Sequence, residues 1–249
     1  MMFSLKLTDL RILNGAVNIL ADFITEATFS IQKEGIKLIA MDPANISMVV
    51  LTILPSAFVE YTVDEPEELT VNLESLKQAL KRAKPTETIA LTSEKSKLKL
   101  TIAGASSKKF FIPLLDRESK ERKVPALEFM ATAELNASEF RDYIDDLSFA
   151  SEAATFELDK NTFTLSSGDT GNKVTVEVNK GNDALHQLNA KDAVKSIYSI
   201  EYLKKMARSA SLADVVTVQL SSDYPLKLDF KSINKLQLSF ILAPRIENK

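Results

Sequence analysis

The feature that most constrains the fold of this 249-residue chain is an internal repeat at a spacing of 127 residues. The segment ATFSIQKEGIKL (27–38) returns as ATFELDKNTFTL (154–165), with Ala, Thr, Phe, Lys and Leu at matching positions. At the same spacing, NLESLKQALKRA (72–83) lies over SIEYLKKMARSA (199–210). A third echo, LKL at 98–100 and 226–228, is shifted by one residue. Because a long repeat duplicates a whole structural unit, we expect two similar domains.

The junction between the two copies is marked by composition. The segment DRESKERKVP (116–125) has seven charged residues in ten and ends in proline, which is typical of an exposed linker. We therefore predict an N-terminal domain over 1–116, a connecting loop over 117–125 and a C-terminal domain over 126–249.

Each copy shows the same order of secondary structure. Apolar residues at helical spacing predict two helices per half, and runs rich in Ile, Val and Leu predict strands between them. Asp9 suits the N-cap of the first helix. The short connections favour antiparallel sheets, so the predicted fold class is α+β. The predicted helices are 9–23, 73–83, 138–150 and 200–212, and the predicted strands of the first half are 28–31, 35–41, 45–54, 88–92, 97–103 and 108–114.

Composition excludes several functional classes. The chain has no cysteine, which removes disulfides, thiolate metal sites and cysteine nucleophiles. It has neither GxGxxG nor GxxxxGK[ST], so neither nucleotide-binding loop is present. The single histidine, His186, has no second histidine with which to share a metal. The longest mostly apolar run (48–54) is too short to cross a bilayer. We expect a cytoplasmic protein without cofactor or bound metal.

The second helix presents a basic stripe, although the formal net charge of the chain is −3. Lys77, Lys81 and Lys84 fall on one face, Arg82 lies beside them, and the apolar residues lie opposite. The fourth helix repeats the pattern, and its cations are Lys204, Lys205 and Arg208. For one isolated helix a solvated face is the simpler interpretation. Recurrence at a fixed spacing favours a sequence-independent contact with phosphates.

The third helix is acidic and suggests a rival function. It carries Glu139, Asp142, Asp145 and Asp146 against Arg141 alone. Asp142 and Asp146, at i and i+4, could share a divalent cation as in a metal-dependent nuclease. No further motif supports that hypothesis, and a solvated acidic face is the favoured interpretation.

Five segments of the chain resemble the DNA sliding clamps of the proliferating cell nuclear antigen (PCNA) family, with the archaeal members most similar. GIKLIAMDPANISMVVLTIL (35–54) resembles a strand, turn and strand of that family, and VNLESLKQALKRA (71–83) resembles its second helix. PLLDRESKERKVPALEF (113–129) is similar to its interdomain connecting loop, and SDYPLKLDF (222–230) with LAPRIE (242–247) is similar to its last hairpin and C-terminal signature. AMDP and LAPRIE are the most specific of these motifs.

The resemblance implies a fold and a function. The family fold has two topologically similar domains per subunit, and three subunits form a six-domain ring with helices lining the hole. Such a ring encircles double-stranded DNA, holds a DNA polymerase on it, and is not an enzyme. Further partners implied are the clamp loader, flap endonuclease and DNA ligase, bound through short peptides with the PCNA-interacting (PIP) motif. Whether the ring is a homotrimer or a heterotrimer with paralogues stays open.

The resemblance also implies three sets of site residues. The expected DNA-facing residues are Arg11, Lys77, Lys81, Arg82, Lys84, Lys204, Lys205 and Arg208. The expected subunit-interface residues are Lys108, Lys109, Phe110, Phe111 and Ile112 on one strand and Lys173, Val174, Thr175, Val176 and Val178 on another. The expected pocket for partner peptides comprises Met41, Ile46, Met48, Val124, Pro125, Ser199, Pro225, Ile241, Ala243 and Pro244.

The sequence differs from the family at positions that line the hole of the ring and are usually basic. Asn14, Gly15 and Ala21 occupy such positions on the first helix, and Asp142, Asp145 and Phe149 occupy them on the third. Two interpretations follow: DNA contact is confined to the second and fourth helices, or the subunit works beside differently charged paralogues. A third hypothesis is a scaffold that binds peptides without touching DNA.

Overall fold

The computed structural model describes residues 3–116 and 122–245. Residues 117–121 of the predicted connecting loop and the last two residues of LAPRIE (246 and 247) lie outside these ranges. The described chain divides into two compact units. The first contains 3–43, 49–124 (without 117–121) and 233–238, and the second contains 44–48, 125–232 and 239–245.

Among its described residues, the first unit holds nine strands and two α-helices of eleven and eight residues. In chain order the elements are β1 (Phe3–Leu7), α1 (Leu10–Leu20), β2 (Glu26–Gln32), β3 (Gly35–Met41), β4 (Ser47–Ile53), a 3-10 helix (Pro55–Ala57), β5 (Glu60–Val63), β6 (Glu67–Asn72), α2 (Leu73–Leu80), β7 (Thr88–Glu94), β8 (Lys97–Ala103) and β9 (Ser107–Pro113).

The second unit repeats this order. Its elements are β10 (Ala131–Asn136), α3 (Ala137–Leu147), β11 (Ala153–Leu158), β12 (Thr162–Gly168), β13 (Lys173–Asn179), β14 (Leu185–Ala190), β15 (Val194–Ser199), α4 (Ile200–Ala207), a 3-10 helix (Arg208–Ser211), β16 (Val215–Leu220), β17 (Leu226–Ser232) and β18 (Leu236–Leu242). The assignment of residues to units divides β4 after Met48 and β18 after Leu238.

The strands of the two units follow the same plan. In the first unit the order is β5-β1-β7-β8-β9 for five strands and β4-β3-β2-β6 for four. In the second unit it is β14-β10-β16-β17-β18 and β13-β12-β11-β15. Neighbouring strands are antiparallel, as between β7 and β8 and between β12 and β13. The predicted α+β class, with two topologically similar antiparallel domains of two helices each, is therefore confirmed.

Helix positions keep the spacing of the sequence repeat. α1 and α3 begin 127 residues apart, and so do α2 and α4. The predicted N-cap is confirmed, because the Asp9 carboxylate accepts a hydrogen bond from the backbone N–H of Arg11. Asn72 caps α2 in the same way by accepting from the backbone N–H of Ser75 at 3.0 Å. Each cap satisfies a backbone donor that the first helical turn leaves unpaired.

Each helix buries one apolar face. α2 buries Leu73, Leu76, Ala79 and Leu80, and α4 buries Ile200, Leu203, Met206 and Ala207. Burying several such side chains stabilises a helix of eight residues, which would be marginal alone in water. The polar residues of both helices are left on the opposite face.

The helices are shorter than predicted. α1 ends at Leu20 rather than residue 23, α2 at Leu80 rather than 83, and α3 at Leu147 rather than 150. α4 ends at Ala207, and a 3-10 turn continues it to Ser211. After α2, the N–H groups of Arg82 and Ala83 donate to carbonyls three residues back, which tightens the last turn. Pro85 then disfavours further helix.

Three strands of the first unit were not predicted. β5 and β6 lie in an acidic stretch that lacks the Ile, Val and Leu runs of the other strands, and β1 is only five residues long. Within 3–116 and 122–245, no helix is both long enough and apolar enough to cross a bilayer.

Candidate DNA-facing surface and subunit edges

The predicted DNA-facing cations on and just after α2 form two groups. Lys77 lies on α2 and is ion-paired with Glu74, Nζ to Oε2 at 3.4 Å. Lys81, Arg82 and Lys84 lie beyond the helix, in a segment that we name the basic turn. All three side chains of the basic turn are exposed. The stripe predicted for one helix therefore begins on the helix and continues into the turn.

A buried carboxylate holds the basic turn in place. Glu87 Oε2 accepts a hydrogen bond from the backbone N–H of Lys84 at 2.8 Å, and its Oε1 lies 3.1 Å from Lys108 Nζ. Lys108 Nζ also donates to the backbone carbonyl of Arg82 at 3.2 Å. The hydrogen bond from Lys84 and then that from Lys108 lower the pKa of Glu87 below its usual range. The sequence alone does not single out Glu87, because it belongs to no recognisable motif.

The cations of the second unit have more acidic neighbours. Lys205 Nζ lies 2.7 Å from Glu201 and 5.2 Å from the ring centroid of Tyr202. Lys204 Nζ lies 3.6 Å from Asp145 and 3.2 Å from Ser148 Oγ, both at the end of α3. Arg208, the repeat equivalent of Lys81, is exposed on the 3-10 turn. Exposed ion pairs of this kind are worth little and exchange readily with other charged partners.

Arg11 is placed differently from the other predicted DNA-facing cations. Its guanidinium binds Asp9 through two hydrogen bonds, Nε to Oδ1 at 3.0 Å and Nη2 to Oδ2 at 2.9 Å. The Arg11 side chain lowers the pKa of Asp9 from 3.8 to about 2. Because the carboxylate is ionised at neutral pH, Arg11 has an opposite charge beside it.

Two acidic residues of α3 have basic neighbours. Asp142 is ion-paired with Arg141 at 2.9 Å, and Asp145 faces Lys204. Among residues 3–116 and 122–245, no group of three or more His, Cys, Asp or Glu side chains is arranged to hold a metal. Phe149, just beyond α3, is 74% exposed.

The two predicted interface strands are the terminal strands in the order of their sheets. β9 follows β8 at the end of one sheet, and β13 follows β12 at the end of another. Both strands show the same alternation of exposed and partly buried residues, with one buried residue near the end, Ile112 in β9 and Val178 in β13. Terminal strands have backbone groups available for pairing with another chain.

The segments beside these two strands carry opposite charges. α2 packs against β9 and continues into the basic turn, whereas α3 packs against β13 and is acidic. Each chain therefore has one edge with positive neighbours and one edge with negative neighbours.

Comparison with known proteins identifies the family. The model of the N-terminal domain of proliferating cell nuclear antigen matches residues 2–114, and that of its C-terminal domain matches residues 123–246. The DNA polymerase sliding clamp of Nanoarchaeum equitans is 37% identical over 241 residues, covering 95% of this chain and 97% of that protein. The chain belongs to the PCNA family of DNA polymerase sliding clamps.

Further relatives agree with this assignment. The DNA polymerase sliding clamp of Pyrococcus furiosus is 31% identical over 225 residues, covering 90% of each chain. The crystal structure of PCNA from Thermococcus kodakaraensis matches with a TM-score of 0.91 and 26% identity, covering 98% of this clamp and 100% of that chain. The resemblance inferred from AMDP and LAPRIE is confirmed, and the chain is a sliding clamp subunit.

The clamp places eight of the ten predicted pocket residues in its second unit, and Met41 and Val124 in its first. Ile46 is 39% exposed, and its carbonyl accepts a hydrogen bond from the N–H of Ala243 at 3.0 Å. Met48 and Ile241 are buried. The C-terminal segment is fixed further by Arg245, whose N–H donates to the carbonyl of Ile197 at 2.7 Å. These hydrogen bonds hold Ile46 beside the C-terminal segment. The grouping of all ten residues into one pocket stays a prediction.

Proposed function

We propose that three copies of this clamp close head to tail into a ring around duplex DNA, tether a DNA polymerase there, and act without catalysis in the cytoplasm. The observation that carries the proposal is the repeated placement of exposed cations. Lys81 and Arg208 stand at equivalent positions of the two units, each just beyond a helix whose apolar face is buried.

The contact with DNA in this proposal is electrostatic and independent of sequence. Lys77, Lys81, Lys204 and Arg208 meet phosphates, and the weak ion pairs of Lys77 and Lys204 exchange for them. Contacts that exchange readily suit a ring that must slide, since closure rather than affinity keeps it on DNA.

Ring closure pairs β9 of one copy with β13 of the next. Head-to-tail assembly needs two different complementary edges on each subunit. The basic turn beside β9 and the acidic α3 beside β13 supply that complementarity within one chain, which favours self-assembly over dependence on paralogues. The acidic residues of α3 then contact the basic turn of the next copy instead of repelling the phosphates of DNA.

A topological assay tests the proposal. The clamp is loaded on nicked circular DNA, washed with concentrated salt, and the DNA is then cut once with a restriction enzyme. We expect retention on the circle and release after cutting, with a native mass of three subunits. Equal retention on circular and linear DNA, or a monomer at every concentration, would contradict the ring. A peptide scaffold that ignores DNA would show assembly without retention.

Partner proteins are proposed to bind through PIP-motif peptides at Ile46, Pro225, Ile241, Ala243 and Pro244. The support is the exposed Ile46 beside the C-terminal segment, where a peptide could bury an apolar side chain. Ile46→Lys should weaken binding of a fluorescent PIP peptide at least about tenfold by adding a charge to an apolar contact. Ile233→Lys is the control, because Ile233 is an exposed isoleucine in the connection between β17 and β18 and is not a predicted pocket residue. Equal loss in both variants would argue against this location.

A further inference from the structure

Glu87 is a buried charge that neither DNA contact nor partner binding uses. Its side chain is 9% exposed although the neighbouring basic turn is open to solvent. A buried carboxylate is costly unless hydrogen-bonded and paired, and Glu87 is both. It accepts from the N–H of Lys84 and from Nζ of Lys108.

The space for Glu87 depends on a glycine just after β8. A Cβ at Gly104 would lie 2.7 Å from Cγ of Glu87, closer than two non-bonded carbons approach unless one of them shifts. Only glycine at this position lets the Glu87 side chain reach Lys108 in its present conformation.

Lys108 connects this carboxylate to the terminal strand. It is the second residue of β9, and its ammonium contacts both Glu87 and the Arg82 carbonyl. Two backbone groups of the basic turn are thus linked to β9. The Arg82 carbonyl accepts directly from Lys108, and the Lys84 N–H donates to Glu87, which in turn binds Lys108. Charge-assisted hydrogen bonds of this type are stronger and more directional than neutral ones.

The corresponding segment of the second unit is anchored differently. At the repeat spacing, Asp214 replaces Glu87 and is exposed, and Ser211 replaces Lys84. The Asp214 backbone carbonyl accepts from the N–H of Ala137, which ties this segment to the start of α3. The link through Glu87 thus belongs to the unit whose basic turn adjoins the proposed subunit edge β9.

We propose that Glu87 is a positioning residue for ring closure, which holds the basic turn and β9 in the one arrangement that receives the acidic α3 of a second copy. The inference rests on the proposed ring. It assigns to Glu87 no contact with the second copy; Glu87 acts through Arg82, Lys84 and Lys108.

The substitution Glu87→Gln separates positioning from net charge. Glutamine keeps the size and one acceptor for the Lys84 N–H, but it turns an amide NH₂ toward the Lys108 ammonium. Removal of a negative charge makes this edge more positive, so simple attraction to the acidic α3 predicts tighter assembly. Loss of positioning predicts weaker assembly instead.

Subunit dissociation constants by mass photometry or analytical ultracentrifugation test the proposal. We expect Glu87→Gln to raise the constant roughly tenfold, about 1.4 kcal/mol. Glu94→Gln is the matched control, because Glu94 pairs with Lys99 of the same unit at 2.6 Å and the substitution removes the same charge; it should change the constant less than about twofold. Lys108→Gln should weaken assembly as Glu87→Gln does, and the double variant no further, since one link is broken in each case.

The outcomes are distinguishable. If the unmodified clamp assembles and Glu87→Gln assembles equally or more tightly, the positioning role is wrong while the ring stands. If the unmodified clamp stays monomeric, the ring itself is wrong and so is the role of Glu87. Should Glu87→Gln not fold, Gly104→Ala tests the same link without changing any charge, because the added Cβ would displace the Glu87 side chain and should weaken assembly in the same way. Faster hydrogen exchange of the Lys84 amide in folded Glu87→Gln would further support the link, and unchanged exchange would contradict it.

Discussion

At the scale of single residues, exposure alone does not make a cation available to DNA. Arg11 and Lys81 are both exposed, yet the Arg11 guanidinium forms two hydrogen bonds with Asp9. Lys81 instead experiences a longer-range attraction to Glu74. Whether a cation at a helix end can bind phosphate therefore depends on which carboxylates lie within one helical turn of it.

The Asp9–Arg11 pair should stabilise the fold in a pH-dependent way. The pKa of Asp9 is lowered from 3.8 to about 2, so its contribution is present above about pH 4 and lost as pH falls toward 2. Asp9→Asn keeps the cap acceptor but loses the ion pair, and should cost about 1 kcal/mol at pH 7. Urea unfolding at fixed protein concentration should show this difference shrinking between pH 4 and pH 2. Asp64→Asn, at an exposed turn, is the control; a cost for Asp9→Asn that does not vary with pH would contradict the prediction.

At the scale of elements, the repeat and the hydrophobic periodicity predicted where helices begin but not where they end. Leu10, Leu73, Ala137 and Ile200 start the helices close to the predicted positions, because caps and buried faces are encoded locally. The basic turn continues the periodicity of α2, yet 3-10 hydrogen bonds and Pro85 end the helix first. The Glu87–Lys108 link joins residues 21 apart across a hairpin. No local pattern could predict it.

The cations beyond α2 and α4 should carry a measurable part of DNA binding. Lys81→Ala combined with Arg208→Ala should lower the slope of log affinity against log salt concentration by about 0.9 for each phosphate that the clamp no longer neutralises. The matched control is Lys160→Ala with Lys180→Ala, which removes two exposed cations from the segments just before β12 and just after β13. Fluorescence anisotropy with a short duplex between 50 and 200 mM salt, roughly the range over which such binding weakens steeply, measures both slopes. An equal change in the two double variants would mean that only net charge matters.

At the scale of the whole molecule, one arrangement of the subunits explains why the chain has both a basic turn and an acidic α3. A ring with DNA in its hole needs positive charge, and the acidic α3 opposes that if it only faces DNA. If α3 instead meets the basic turn of the next copy, its carboxylates are neutralised by closure. The negative net charge of the chain then presents no obstacle to DNA binding, since the field that DNA experiences is local.

This explanation predicts a reciprocal rescue. Reversing the basic turn with Arg82→Glu and Lys84→Glu, or reversing α3 with Asp142→Lys and Asp146→Lys, places like charges across every interface, so each variant should assemble more weakly by at least about tenfold. The chain that carries all four substitutions restores opposite charges between copies, and should regain much of the native assembly. Mixed with the unmodified clamp, it should form separate rings, because a mixed contact again opposes like charges. Dissociation constants and native mass spectrometry of the mixture measure both effects. If the fourfold variant assembles no better than either double variant, the charges beside β9 and β13 do not meet, and closure must rest on the strand edges alone.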